Sequence, residues 1–123
     1  MNMKTILVTE DDPFLIDIYS KKLKEAGFEV KIARDGKECL IAIKEKKPDL
    51  LVLDIVLPQI SGWEILNEIK KDPNLKDLKI IVLSNLGQKK EVEEGLRLGA
   101  TKYLIKAHYT PSEVVKEIER VLK

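Results

Sequence analysis

Residues able to do chemistry recur at the ends of apolar runs. Glu10-Asp11-Asp12 follows Ile6-Leu7-Val8-Thr9, Asp54 follows Leu50-Leu51-Val52-Leu53, Ser84 follows Ile80-Ile81-Val82-Leu83, and Lys106 follows Tyr103-Leu104-Ile105. Carboxylates gathered in one place repel one another, which costs stability and raises their pKa values. Hard oxygen ligands grouped in this way suit Mg2+ (or Mn2+), which keeps several waters and takes phosphate oxygens as further ligands. Such an ion neutralises charge on a phosphoryl group during transfer. One carboxylate can then act as nucleophile and become an aspartyl-phosphate. Lys106 offers a cation for phosphate oxygens, and Ser84 offers a hydroxyl donor. Each residue also has a purely structural reading. Glu10 and Asp12 can cap a helix, Ser84 can sit in a turn, and Lys106 can be a solvated strand end. The chemical reading holds only if the fold brings these residues together.

The elements that must position them alternate along the chain. Lys4–Thr9 is β-branched and apolar and reads as a first strand. Asp12 is a cap and Pro13 a first helical residue; Leu15, Tyr19, Leu23 and Ala26 then recur at helical spacing, and Gly27 stops the helix. Phe28–Ala33 alternates as an edge strand does. Asp35 and Glu38 form a capping-box pattern before a helix carrying Leu40 and Ile43. The apolar run between Asp49 and Asp54 reads as a strand buried on both faces. A third helix spans about Trp63 to Lys71 and buries Ile65, Leu66 and Ile69, and a fourth strand spans Leu78–Leu83. The next helix, about Lys89 to Leu98, has only Val92, Leu96 and Leu98 as apolar anchors and contains Gly95, so it is the least firmly held. Lys102–Lys106 is a fifth strand. Thr110-Pro111-Ser112-Glu113 is a capping box before a last helix with Val114, Val115, Ile118, Val121 and Leu122 on one face.

Five βα units imply a doubly wound α/β fold, flavodoxin-like, with a five-stranded parallel sheet and helices on both faces. Right-handed crossovers favour the strand order 2-1-3-4-5. The first and third strands then lie side by side, and ligands bind outside the carboxyl ends of strands at that switch point. Glu10, Asp11 and Asp12 converge on Asp54, with Ser84 and Lys106 on the same rim.

Composition narrows the alternatives. The 123 residues suit one domain, and 44% hydrophobic with 35% charged residues suits a globular chain. There is no run of about 18 apolar residues to span a membrane. Met1-Asn2-Met3-Lys4 leads straight into a strand, without the apolar core of a signal peptide. A single cysteine, Cys39, precludes an internal disulfide and fits a reducing, cytoplasmic setting. A net charge of +1 provides no general attraction to nucleic acid or anionic membrane.

Over essentially its whole length the chain resembles the receiver domains of bacterial two-component response regulators. The motifs that carry the resemblance are Ile6 to Pro13, Asp49 to Pro58 with Ser61-Gly62, Ile81 to Ser84, and Tyr103 to Lys106. The resemblance implies a response regulatory domain over residues 1–123 that acts as a phosphorelay switch and is not a turnover enzyme. Asp54 would accept a phosphoryl group from the phosphohistidine of a histidine kinase or phosphotransfer protein. Asp11 would bind Mg2+ directly, Glu10 directly or through water, and Asp54 and the backbone carbonyl of Val56 would complete the protein's ligands. Ser84 and Lys106 would hold phosphoryl oxygens, and Tyr103 would turn inward when Ser84 moves toward the phosphate. Asp12 would cap the helix and tune the field. The output surface would be the fourth helix, fifth strand and fifth helix, where family members dimerise or bind a downstream protein.

Several features depart from the family pattern. Ala107 follows Lys106 where proline is usual, so the resemblance does not fix the geometry of that peptide bond. Asn85 follows Ser84 where a smaller residue is common, and narrows access to the phosphoryl site. Val56 and Leu86 are apolar beside the path of a hydrolytic water, which predicts slow self-dephosphorylation. His108 reads as a solvated loop residue, Cys39 as a packed side chain, and Trp63 as packing at the start of the third helix. Other functions fit less well. An aspartyl-nucleophile phosphatase needs Asp-x-Asp, and here the run is Asp54-Ile55-Val56. A flavin carrier needs a phosphate-holding Ser/Thr/Gly loop where Glu10-Asp11-Asp12 stands. The alternative that survives is a receiver-fold interaction module that is not phosphorylated. The chain reads as a single-domain regulator or as the receiver of a longer protein.

Overall fold

The structure, a computed structural model, describes residues 3–123; Met1 and Asn2, read above as leading into the first strand, lie outside the described residues. The elements run β1 (Thr5–Thr9), α1 (Pro13–Glu25), β2 (Glu29–Ala33), α2 (Gly36–Glu45), β3 (Leu50–Leu53), α3 (Gly62–Lys71), β4 (Lys79–Ser84), α4 (Lys89–Arg97), β5 (Lys102–Ile105), a 3-10 turn (Lys106–His108) and α5 (Pro111–Val121). All strand pairs are parallel, in the order β2-β1-β3-β4-β5. This is the expected five-stranded, five-helix α/β architecture.

Two cores flank the sheet. Leu51 and Leu53 point to one face and pack with Cys39, Ile43, Ile65, Leu66 and Ile69. Leu50 and Val52 point to the other and pack with Tyr19, Leu23, Val114 and Ile118. Successive strand residues alternate faces, and all four residues of β3 are buried. That explains why the strand nearest the chemistry is a continuous apolar run. Burying each such side chain contributes about 1.5–3 kcal/mol.

The helix starts follow local hydrogen bonding. The Phe14 N–H donates to the Asp12 carboxylate at 2.9 Å, and Pro13 opens α1. Asp35 accepts from the Glu38 N–H at 2.8 Å, but the Glu38 carboxylate reaches back to the Arg34 N–H, one residue before the cap. Thr110 and Glu113 close a reciprocal capping box.

Three expectations need correction. In α1 it is Ile16 that is buried with Tyr19 and Leu23, whereas Ala26 is exposed beyond the last turn. Leu96 of α4 is 46% exposed, and Gly95 is the helix's buried residue. The fifth strand stops at Ile105, so Lys106 opens the 3-10 turn instead of ending the strand. The Lys106–Ala107 peptide is trans, because the described residues contain no cis bond. Among the described residues, no helix is long and apolar enough to cross a membrane.

Candidate functional site

Register places the site. Thr9 pairs with Leu53 across β1 and β3, so Glu10 and Asp54 leave the sheet side by side. Their backbones are pinned as they leave. Glu10 N–H donates to the Ala33 carbonyl at 3.0 Å, and Asp54 N–H donates to the Thr9 carbonyl at 3.2 Å. On the other side Ser84 pairs with Ile105, which sets Lys106 on the same rim.

Carboxylate oxygens of Glu10, Asp11 and Asp54 all lie within 4.8 Å of one another. Glu10 and Asp54 are buried, and Asp11 is exposed. Lys106 reaches between the two buried acids. Its Nζ is 2.7 Å from Glu10 Oε1 and 2.7 Å from Asp54 Oδ2. The remaining oxygens are held by backbone donors: Glu10 Oε2 accepts from the N–H groups of Asp11 and Asp12, each at 3.1 Å, and Asp54 Oδ1 accepts from the Val56 N–H at 3.2 Å. Asp12 turns away to cap α1 and is outside the cluster.

The electrostatics follow from this packing. Burial pushes the Glu10 carboxyl above the ordinary carboxylate value, against the pull of Lys106 and the Asp12 N–H. Burial works against the Lys106 charge, but hydrogen bonds and Coulomb attraction from Asp54 and Glu10 outweigh it and hold its pKa above the usual lysine value. Three carboxylates against one ammonium leave the cluster with excess negative charge, which a cation would relieve. The donors are hard oxygens, one of them open to solvent. That set suits Mg2+ or Mn2+, and the residues present fit such an ion.

Backbone close approaches shape the loop after Asp54. A Cβ on Gly62 would lie 2.6 Å from the Asp54 carbonyl oxygen and 2.6 Å from Ile55 Cα. Glycine alone lets α3 start there, with its N–H donating to the Ile55 carbonyl at 2.8 Å. In the same loop Gln59 adopts φ of 67°, a left-handed conformation uncommon for a residue with a Cβ. The Val56 side chain is 60% exposed beside Asp54.

Ser84 is fully buried at the end of β4, and its Oγ accepts from the Leu86 N–H at 3.3 Å. The Tyr103 hydroxyl donates to the Leu86 carbonyl at 2.5 Å. Leu86 therefore joins Ser84 to Tyr103 through its two backbone groups. Tyr103 is half-buried against the α3 side of the sheet, and burial raises its pKa. Sequence reasoning missed this link because backbone groups carry no residue-type signal. Asn85 and His108 are exposed, and Trp63 is half-buried against the core at the start of α3. Cys39 is fully buried, and burial pushes its thiol pKa up to about 11; it packs as expected. Asp49 lies at the opposite end of β3 and accepts from the Thr5 N–H at 2.7 Å.

Comparison with known proteins agrees with this geometry. The chemotaxis protein CheY of Thermotoga maritima is 36% identical over 122 residues, covering 98% of each chain. The structure of the chemotaxis response regulator CheY4 of Vibrio cholerae superposes with a TM-score of 0.91 at 28% identity, over 98% of this chain and all of that one. The Mn(2+)-bound form of response regulator Rcp1 gives a TM-score of 0.85 at 29% identity, over 94% of this chain and 91% of that one. The chain spans about half the length of several curated transcriptional regulators it also matches. The family described as "Response regulator receiver domain" matches residues 6–119, and the chain belongs to that family of two-component signalling domains.

Proposed function

We propose that this receiver is a phospho-accepting switch in which Asp54 takes a phosphoryl group from a phosphohistidine of a histidine kinase or phosphotransfer protein. The observation that carries this reading is Lys106 bridging Asp54 and Glu10 at 2.7 Å, with Asp11 completing the acid cluster. Glu10, Asp11, Asp54 and the Val56 carbonyl would hold Mg2+ or Mn2+, and the bound ion would offset charge on the transferring phosphoryl group. Rcp1, of the same fold, binds Mn2+.

The chain's own residues do the rest. An Asp54 carboxylate oxygen bonds to phosphorus as the phosphorus–nitrogen bond breaks. The departing imidazole keeps the electron pair. The Val56 N–H holds the other Asp54 oxygen and fixes the approach. Lys106 Nζ follows the negative charge from the carboxylate onto a phosphoryl oxygen. Ser84 turns its hydroxyl from the Leu86 N–H to donate to the phosphate. Phosphorylation adds roughly −1.5 to −2 charge and strong acceptor oxygens, enough to reorder the loop 85–88. Because Leu86 also anchors Tyr103, that change reaches β5 and α4. The face formed by α4, β5 and α5 is then the output surface for a downstream protein or a second copy, with no direct part in nucleic-acid binding. Asp12 supports α1, and Asn85 narrows the mouth of the pocket. Apolar Val56 and Leu86 provide no group to orient a hydrolytic water, so the acyl phosphate decays slowly, well beyond seconds.

The test is intact mass after incubation with acetyl phosphate, with Mg2+ and with EDTA. The expected result is a gain of one phosphate that needs Mg2+ and is absent in Asp54→Ala. No gain in the wild-type chain favours a receiver-fold interaction module that is not phosphorylated.

A further inference from the structure

We propose that Gly95 is a positioning residue for Tyr103: its missing side chain forms the seat that holds the Tyr103 ring inward, so that the ring and α4 move as one two-state element. A Cβ built on Gly95 would lie 2.6 Å from Tyr103 Cδ2 and 2.9 Å from Cε2, well inside contact distance, and 3.9 Å from Trp63 Cζ3. The ring thus fills the space a side chain would occupy, with the tryptophan beside it. Gly95 is the buried residue of α4, whereas Leu96 faces solvent and Val92 is half-buried. Leu98 is buried in the core at the helix's C-cap, and within α4 itself the buried contact with β5 is the ring that occupies this seat. Glycine weakens a helix interior relative to alanine. Its presence at the single buried position of a short helix is accounted for by the ring.

The seat stands on packing alone; its regulatory meaning rests on the switch reading above. Tyr103 is held inward at two points, by Gly95 beneath the ring and by the Leu86 carbonyl at its hydroxyl. The ring therefore already holds the inward position that the resemblance assigns to the switched state, so on the switch reading phosphorylation would stabilise this seated arrangement, and loss of either hold should release the ring together with α4. Trp63 is the chain's single tryptophan and starts the helix that follows the Asp54 loop, so its emission reports the seat directly.

The experiment places Gly95→Ala in three backgrounds: wild type, Tyr103→Phe and Tyr103→Ala. Trp63 emission, iodide quenching and thermal midpoint are read for each, without phosphoryl donor. With Tyr or Phe at 103 the substitution should shift Trp63 emission, increase quenching and lower the midpoint. With Ala at 103 it should leave emission unchanged and raise the midpoint, as alanine strengthens the helix. Should Gly95→Ala alone fail to fold, rescue by Tyr103→Ala supports the seat, and failure in both overturns it. Equal effects of Gly95→Ala in all three backgrounds also overturn it, since uncoupled sites add. None of these readings depends on phosphorylation of Asp54, so the seat and the switch fail independently.

Discussion

Lys106 is the residue on which the metal-free site depends. It is the cation that touches both buried carboxylates. Removing one partner of a buried ion pair leaves uncompensated charge, at a cost of about 3–5 kcal/mol. Lys106→Met should therefore destabilise the metal-free protein by about 3 kcal/mol, the low end of that range because Asp11 opens the cluster to water. Urea unfolding in EDTA measures this, and unchanged stability would contradict the role. The pH dependence has a definite sign. The folded pKa of Lys106 lies above the ordinary lysine value, so its contribution is complete below that value. It is lost as pH rises through the folded pKa, and Lys106→Met should flatten that alkaline loss. The acids, Ser84 and Lys106 were legible in the sequence because each ends an apolar run, and parallel strands deliver their carboxyl ends to one rim. Leu86 was not legible as a link, because it acts through its backbone N–H and carbonyl, which every residue except proline shares.

At the scale of elements, the weak helix stands out. The sequence reading made α4 the least anchored helix; in the structure it buries only Gly95 along its length, with Leu98 buried at its C-cap. Amide exchange should accordingly be faster in α4 than in α5, which buries Val114, Val115 and Ile118 and closes a capping box. Exchange from α4 as slow as from α5 would contradict its reading as the least firmly held helix. Three helix starts were legible because caps have side-chain signatures: Asp12, Asp35 and Thr110 each accept an N–H of the first turn, whereas Ser61 caps α3 in the same way one residue before the helix begins at Gly62, and the sequence reading left it in the loop. Ends of strands were less so. The apolar pattern of β5 continues to Ile105, and nothing in residue type marks the 3-10 turn that takes Lys106 out of the sheet. Gly95 was visible, but as a weakness; that it accommodates a ring from another element depends on the packing of α4 on β5, which local sequence does not encode.

At the scale of the molecule, strand order does the positioning. Placing β1 beside β3 puts Glu10 next to Asp54, and placing β5 beyond β4 brings Ser84 and Lys106 to the same edge. That order was legible from five alternating βα units and the handedness of crossovers. Its consequence is that one carboxylate among several differs from the rest, and on the proposed function that one is the acceptor. Asp54 is buried, held by the Val56 N–H and paired with Lys106, whereas Asp11 is exposed and Asp12 is committed to α1. The most direct measurement is chemical trapping of that acceptor: treat the protein with acetyl phosphate and Mg2+, reduce the acyl phosphate with borohydride, and sequence the peptides by mass. The account predicts homoserine at position 54. Homoserine at position 11 or 12, with Asp54 unmodified, would contradict it.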